Sequence, residues 1–586
     1  MRRENLSVRA IDPLEKWTSP AGWPVRSRKD VEALLCAPGQ PFEMETVDID
    51  GIATRVWKNA HPSLAALAEH ARGHGDSEFL IFEDERVTYE NWYRAVAALA
   101  VELQKIGVTK GDRISLAMRN LPEWPVIFFA ATAIGAIVVP LNAWWTDQEL
   151  VFGLENSETS VLLCDAERWD RISPHLADLP DLQHVIVARS QSPLATPARP
   201  LEDIIGLPNG YGDLPDQNLP AVDIAPDDPS TIFYTSGTTG QPKGALGTHR
   251  NLTSNAVTVG YSGAAQALRR GDILPEATTR VGLTVVPMFH CTACSATMMP
   301  TVHGGHKMIF LHKWDTVQAM KIIEREKVNA TGGVPFIAWQ LIEHPDRAQY
   351  DLTSLDAISY GGAPSAPELA RKIFEVFGAL PGNGWGMTET MATVTSHSAE
   401  DYLNRPTSCG PPVAAADLKV MDEDGTTEMP IGEVGELWAR GPMIVKGYWK
   451  RPQATADTFV DGWVRTGDLA RLDEEGFCYI VDRAKDMIIR GGENIYSSEV
   501  ENVLYDHPAV MDAALIGIDH KMLGEEPAAI VQLAPGKTAS EAELQQWVRE
   551  RLANFKVPVK ILFRSDSLPR NANGKILKKD LKSLFS

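Results

Sequence analysis

Along most of its length the chain alternates short apolar runs with amphipathic stretches, the pattern of strands and helices in an α/β protein. Ser230-Thr231-Ile232-Phe233 has the β-branched and aromatic content of a buried strand. From Trp124 to Leu141 the chain is nearly free of charge, and its length only just reaches that of a spanning helix. Pro122 suits a first helical turn, while Gly135 and Pro140 split the run. The pattern therefore predicts a buried helix followed by a strand at Ile137-Val138-Val139. Near the C-terminus it predicts a turn at Gly491-Gly492-Glu493-Asn494, an amphipathic helix from Ser498 through Leu504, and short strands such as Ala513-Ala514-Leu515-Ile516.

A chain of 586 residues, 44% of them hydrophobic, is too long for one core and has ample material for at least two. Residues 1–61 read as an N-terminal extension, with proline and charge mixed. The density of Pro, Asp and Gly between Pro193 and Pro229 predicts a long surface connection. The domain boundary falls at Lys485. The predicted fold class is α/β, with a large N-terminal multi-sheet α/β domain (1–484) and a small C-terminal α+β lid (485–586). A net charge of −21 argues against nucleic acid and anionic membrane surfaces, but local cations in a cleft still permit ATP. Residues after Met1-Arg2-Arg3-Glu4 lack the apolar run of a signal peptide, and six cysteines make no disulfide framework. Both point to the cytoplasm.

The densest chemistry lies in Tyr234-Thr235-Ser236-Gly237-Thr238-Thr239-Gly240-Gln241-Pro242-Lys243-Gly244. Glycines let backbone N–H groups turn toward an anion, hydroxyls add donors, and Lys243 supplies a mobile positive charge. The spacing is not that of a Walker A loop, because Gln241-Pro242 separate Gly240 from Lys243 and Gly244 follows the lysine. A solvated Ser/Thr/Gly turn is the bland alternative.

This loop resembles the phosphate loop of the adenylate-forming enzymes, the superfamily of acyl-CoA synthetases, luciferases and peptide-synthetase adenylation domains. Further segments follow in the order of that family. They are Tyr360-Gly361-Gly362-Ala363-Pro364, Asn383-Gly384-Trp385-Gly386-Met387-Thr388-Glu389-Thr390, Thr466-Gly467-Asp468-Leu469, Asp482-Arg483-Ala484-Lys485-Asp486, and Pro569-Arg570-Asn571-Ala572-Asn573-Gly574-Lys575. The resemblance implies ATP, Mg2+ and coenzyme A as co-substrates and cofactor, and a mobile lid turning about a hinge at Lys485. It implies a catalytic set of Lys575, Glu389, Thr388 and His290, with Glu389 as the magnesium ligand. The nucleotide would rest on Thr235, Ser236, Gly237, Thr238, Thr239, Gly240, Lys243, Gly362, Ala363, Pro364, Gly384, Trp385, Gly386, Asp468 and Arg483. Coenzyme A would meet Gly491, Gly492, Glu493, Phe555 and Lys556. Lys578 and Lys579 read as solvated.

The acyl pocket implied by the same resemblance is walled by His290, Cys291, Thr292, Cys294, Trp339, Tyr360, Gly361 and Met387. Small residues follow His290, and no extra charge stands out to receive a second carboxylate or an amino group. A medium- to long-chain fatty acid is the favoured substrate. An aryl or cinnamate-type acid is the alternative, with Phe336, Trp339 and Tyr360 closing around a ring. A luciferase-like oxidase or a nucleotide sensor would keep the same nucleotide motifs, but the lid glycines and Lys575 favour a ligase. Partners are small molecules, without nucleic acid or integral membrane contact, and the chain is a monomer or homodimer. Cys291, Cys294, His303 and His306 copy a zinc ligand set superficially, but the gap between the pairs is short for a zinc finger, and the resemblance places both cysteines at the pocket wall.

Overall fold

The structure, a computed structural model, describes residues 22–235, 242–272, 279–361, 367–484, 486–491, 493–570 and 576–585. Two large sheets form the body. A seven-stranded sheet runs in the order 244–248, 229–234, 137–140, 113–117, 161–165, 184–188 and 198–200, parallel apart from the hairpin at its first edge. An eight-stranded sheet runs 395–398, 380–385, 357–361, 330–333, 281–284, 307–310, 78–82 and 85–88, with antiparallel strands only at its two edges. A five-stranded antiparallel sheet (417–421, 435–440, 459–460, 463–472 and 478–483) adjoins them. The α/β body and α+β lid are as expected from the sequence.

Strand period sets the layers. Val161 and Leu163 face the core shared by the two large sheets, whereas Leu162 and Cys164 face the helices outside. The predicted apolar helix is Glu123–Ala133, buried on every side, followed by the strand Ile137–Pro140. It is hydrophobic all round because the helix Tyr89–Lys105 and both sheets surround it. Gly135 separates the two at φ 75°, a conformation costly for other residues. No helix among the described residues is long and apolar enough to cross a membrane.

Two segments that the sequence marks only as an extension and a connection have defined structure. Within the N-terminal extension, the described part is folded: a helix Arg28–Leu35 and a hairpin of Met44–Ile49 with Ile52–Trp57 pack Val31, Leu35 and Trp57 against Val257 and Tyr261. Its apolar residues are too few per turn to show as a periodic signal, yet each finds a partner on the helix His249–Arg270. The Pro193–Pro229 connection is also structured. Tyr211 in the turn Pro208–Asp213 is fully buried, and Arg94 of the helix Tyr89–Lys105 donates to the Gly212 and Leu214 carbonyls.

The lid has its own sheet (488–490, 493–495, 510–520, 524–533 and 560–564) and its own core around Val500, Leu504, Leu515, Val531 and Leu544. The predicted helix is Ser497–Tyr505, and the short strand at Ala513 extends to Val510–His520.

Candidate functional site

Strands Pro229–Tyr234 and Gly244–Thr248 form the edge hairpin, with Tyr234 opposite Gly244. Thr235 and Lys243 close its neck. The Thr235 N–H donates to the Lys243 carbonyl at 2.8 Å, and the Lys243 N–H donates to Thr235 Oγ1 at 3.3 Å. Ser236, Gly237, Thr238, Thr239 and Gly240 lie outside the described residues. Segment 446–449 pairs along the outer strand, through Leu246 N–H to Gly447 carbonyl at 2.9 Å and Trp449 N–H to Gly244 carbonyl at 2.7 Å. This pairing delivers Tyr448, which sequence reasoning missed. Its ring lies 4.7 Å from the Lys243 ammonium, a cation–π contact, and its hydroxyl donates to Glu389 Oε1 at 2.6 Å. The available signal was Gly447 before two aromatics. Gly447 has φ 140°, and a Cβ there would meet Thr455 Cγ2 at 2.4 Å.

Glu389 sits in the single turn Thr388–Thr390, followed by Met391 and Ala392 at φ 44° and 88°. Positive φ at two non-glycine residues is strain that surrounding bonds must hold. Thr390 Oγ1 accepts the Met387 N–H at 2.9 Å and donates to the Ala392 carbonyl at 2.9 Å. Asn255 Nδ2, from the helix His249–Arg270, donates to the Met391 carbonyl at 2.8 Å and to Ser295 Oγ at 2.9 Å. A Cβ on Gly386 would stand 1.4 Å from the Ala392 carbonyl oxygen, so only glycine allows the loop to fold back on itself. Burial pushes the Glu389 carboxyl above its ordinary range, and the Tyr448 hydroxyl, Arg483 and Lys243 partly counter this. A carboxylate has about four acceptor positions, and Tyr448 uses one. The remaining oxygen capacity fits a hard cation such as magnesium.

Asp468 and Arg483 are register partners on adjacent strands. Arg483 Nε pairs with Asp468 Oδ1 at 3.1 Å, while the Trp385 indole N–H donates to Asp468 Oδ2 at 2.8 Å. Each carboxylate oxygen keeps a lone pair for a further donor. The indole is thereby fixed by its own N–H. Gly384 is needed for strand contact, since a Cβ would come within 2.7 Å of the Thr395 carbonyl oxygen.

The wall of the expected acyl pocket is a wide-turned helix, Thr292–Met298, entered through His290 and Cys291. Such turns are frequent at functional sites. Cys291 Sγ lies 3.9 Å from the Met387 carbonyl, which joins the wall to the Glu389 loop. Burial pushes the Cys291 thiol up to about 12, making it an unreactive apolar group. Thr292 is exposed on the open side, whereas Cys294 is buried in the main core behind it. Burial alone holds His290 neutral down to about 3, and its Nε2 has no partner among the described residues. Tyr360 departs from expectation. Strand alternation turns it into the second core, where its hydroxyl meets that of Tyr402 at 2.7 Å. Trp339 packs against that core from the helix Pro335–Glu343, and Phe336 on its first turn stays 43% exposed, leaving it the more accessible aromatic. Gly361, beside Gly384 in register, ends the Tyr360 strand. Gly362, Ala363 and Pro364 lie outside the described residues.

In the lid, Gly491 turns at φ 59° between Arg490 and its register partner Glu493. Lys556 donates to Glu499 Oε2 at 2.6 Å and stands beside the Phe555 ring. Lys485, Gly492 and Lys575 lie outside the described residues. Asp482, just before the expected hinge, accepts the Ser497 backbone N–H and its hydroxyl, the latter at 2.9 Å, at the start of the lid helix. Lys578 is not solvated, contrary to the sequence reading. It pairs with Glu501 at 2.7 Å, and Glu501 and Asp482 hold its proton more firmly against the pull of burial. A lysine run gives no signal of such a buried partner; Lys579 is exposed as expected.

The chain matches the family described as "AMP-binding enzyme" over residues 67–449, and "AMP-binding enzyme C-terminal domain" over 499–575. A feruloyl-CoA synthase from an Amycolatopsis species is 35% identical and covers 85% of this chain and 94% of its own length. A long-chain-fatty-acid–CoA ligase of Mycobacterium tuberculosis is 34% identical and covers 86% and 94%. Among solved structures, an o-succinylbenzoate coenzyme A synthetase of Bacillus subtilis in complex with ATP and magnesium aligns with TM-score 0.72 and 30% identity over 88% of this chain and 98% of that one. An ATP-bound MatB of Rhodopseudomonas palustris aligns with TM-score 0.76 and 27% identity over 88% and 99%.

Proposed function

The chain belongs to the AMP-binding enzymes of the adenylate-forming superfamily, ATP-dependent acyl-CoA ligases among them, and on that premise we propose that it joins a hydrophobic monocarboxylic acid to coenzyme A. The acid is a medium- to long-chain fatty acid. One observation carries this reading: the small-residue wall beginning at Cys291 touches Met387, two residues from the buried Glu389 that Tyr448 links to Lys243. An apolar tail and an anion-handling centre thus meet at one loop.

In the first step a carboxylate oxygen of the acid attacks the α-phosphorus of ATP, and pyrophosphate leaves. Lys243 and the loop above its neck hold the departing phosphates, Thr388 donates to the α-phosphate, and Lys575 offsets charge where the new bond forms. Glu389, with the phosphates, would hold magnesium, which when bound would neutralise further charge. Asp468 and Arg483 orient the ribose, and the turn Gly362-Ala363-Pro364 with Trp385 seats the adenine. His290 stands at the mouth of the acyl wall as a neutral imidazole. In the second step the coenzyme A sulfur attacks the acyl carbonyl and AMP leaves. The lid, turning about Lys485, brings Gly491 and Gly492 to the thiol arm and Phe555 and Lys556 toward the nucleotide. Six cysteines without a disulfide support a reducing compartment such as the cytoplasm.

A hydroxycinnamic acid is the second reading, favoured by the likeness to a feruloyl-CoA synthase and by the exposed Phe336. The test is pyrophosphate release across fatty acids of graded length and substituted cinnamic acids, with and without coenzyme A. Preference for an aliphatic chain supports the first reading and preference for a ring the second. No release with either class would remove both.

A further inference from the structure

The feature that the ligase reaction leaves unused is a group of imidazoles where two helices of the body meet. The helix Leu64–Arg72 packs beside the helix Met299–Gly304, which continues the wide-turned wall Thr292–Met298. His61 precedes the first helix, His70 lies in its last turn, and His303 lies in the last turn of the second. One ring nitrogen of each lies within 4.8 Å of those of the other two. His61 Nε2 and His303 Nδ1 face each other at 3.0 Å, and the His70 ring stacks on that of His303 with centroids 5.0 Å apart. The His303 carbonyl oxygen lies 3.1 Å from Nε2 of both His70 and His74, the kind of outer acceptor that fixes which nitrogen of an imidazole carries its proton. Among the described residues none of the three pairs with a carboxylate.

Packing alone does not account for three imidazoles converging from two segments far apart in the chain. Each is a borderline nitrogen donor, the type that favours zinc and its neighbours over magnesium. We propose that His61, His70 and His303 bind one divalent transition-metal ion of the zinc class, tying the segment before residue 72 to the far end of the acyl-wall helix. The proton between His61 and His303 moves to the outer nitrogen of its own ring, so both facing nitrogens present lone pairs without net proton loss. This ligand set is not that of the superficial zinc pattern Cys291, Cys294, His303 and His306, which its spacing already disfavours. The structure sends Cys294 into the main core and gives His303 other histidines as neighbours.

The test uses the tag-free full chain, stripped with a chelator and titrated with Co2+ and then Zn2+ in excess Mg2+ without ATP. The expected result is one equivalent of Co2+ with imidazole-type visible absorption, displaced by Zn2+, and a higher Tm with Zn2+. His70→Ala and His303→Asn should each weaken binding at least about tenfold, the lower end of what loss of even an outer partner costs a metal site. His70 is exposed, so His70→Ala should keep the metal-free Tm and separates lost binding from lost folding. Absent stoichiometric binding, a cobalt–thiolate band, or affinity unchanged in both variants would overturn the proposal.

Discussion

Glu389 is an acid kept where its charge is costly. Burial raises its folded-state pKa above the unfolded value, so its contribution to stability is present below the unfolded pKa and lost as pH rises through the folded one. Above that range the raised pKa works against folding, and Tyr448, Arg483 and Lys243 offset only part of the cost of burial. Glu389→Gln should raise the Tm at neutral pH while slowing adenylation on the order of 10²–10³-fold, the loss typical for a preorganised electrostatic group. An unchanged adenylation rate would show that the carboxylate serves only structure. Tyr448→Phe keeps the aromatic face for Lys243 but removes the 2.6 Å bond to Glu389. Hydrogen bonds to charged groups contribute roughly 1.5–3 kcal/mol, so pyrophosphate exchange should slow about ten- to a hundredfold, with the optimum for added Mg2+ displaced. In the sequence only Gly447 before two aromatics hints at Tyr448, because its value comes from a strand-edge pairing between segments far apart in the chain.

At the scale of elements, the sequence carried the strand at Ser230–Phe233, the apolar helix after Pro122 and the lid helix. Each owes its form to local pattern and turn chemistry. What it did not carry were faces. Tyr360 was expected in the pocket, but the parity of its strand directs it to Tyr402. Lys578 was read as solvated, yet the terminal helix carries it to Glu501 beside Asp482. Asp482 takes the place of a helix N-cap supplied from outside the helix, accepting from Ser497 where the helix Ser497–Tyr505 begins. Asp482→Ala removes that acceptor and leaves Lys578 with one carboxylate fewer nearby. Limited proteolysis between residues 484 and 497 should accelerate by roughly tenfold, equivalent to ~1.4 kcal/mol, with the core around Leu515 intact by hydrogen exchange. Equal cleavage rates would mean that the lid is held elsewhere.

For the whole molecule, the two matched family segments leave residues 450–498 between them, and the proposed boundary at 485 lies inside that interval. If the lid presents Lys575 in one orientation and the Gly491–Gly492 turn in the other, the half-reactions should separate genetically. Lys575→Ala should suppress adenylate formation while sparing thioester formation from a supplied acyl-adenylate, and Gly492→Trp should do the reverse. Equal loss in both steps for either variant would contradict the division. Burial also makes the body sensitive to acid. His249, His290 and His397 are held down to about 4, 3 and 3, so the folded chain refuses protons that the unfolded chain accepts. Their contribution is present above the unfolded value near 6.5 and is lost as pH falls toward those folded values, at up to ~1.4 kcal/mol per pH unit for each. The Tm should drop steeply between about pH 6.5 and pH 4; a flat profile would show that these rings are hydrated.

The bonds from Asn255 to Ser295 and to Met391 bear on attempts to redesign the range of acids accepted. One amide grips both the helix proposed to line the acyl pocket and the strained turn that carries Glu389. Replacing the whole lining would loosen the turn with it, and a variant with a new preference would lose turnover for the old and the new acid alike. Tailoring therefore belongs at Thr292, exposed on the open side of the proposed wall, where volume can change while the amide keeps its hold.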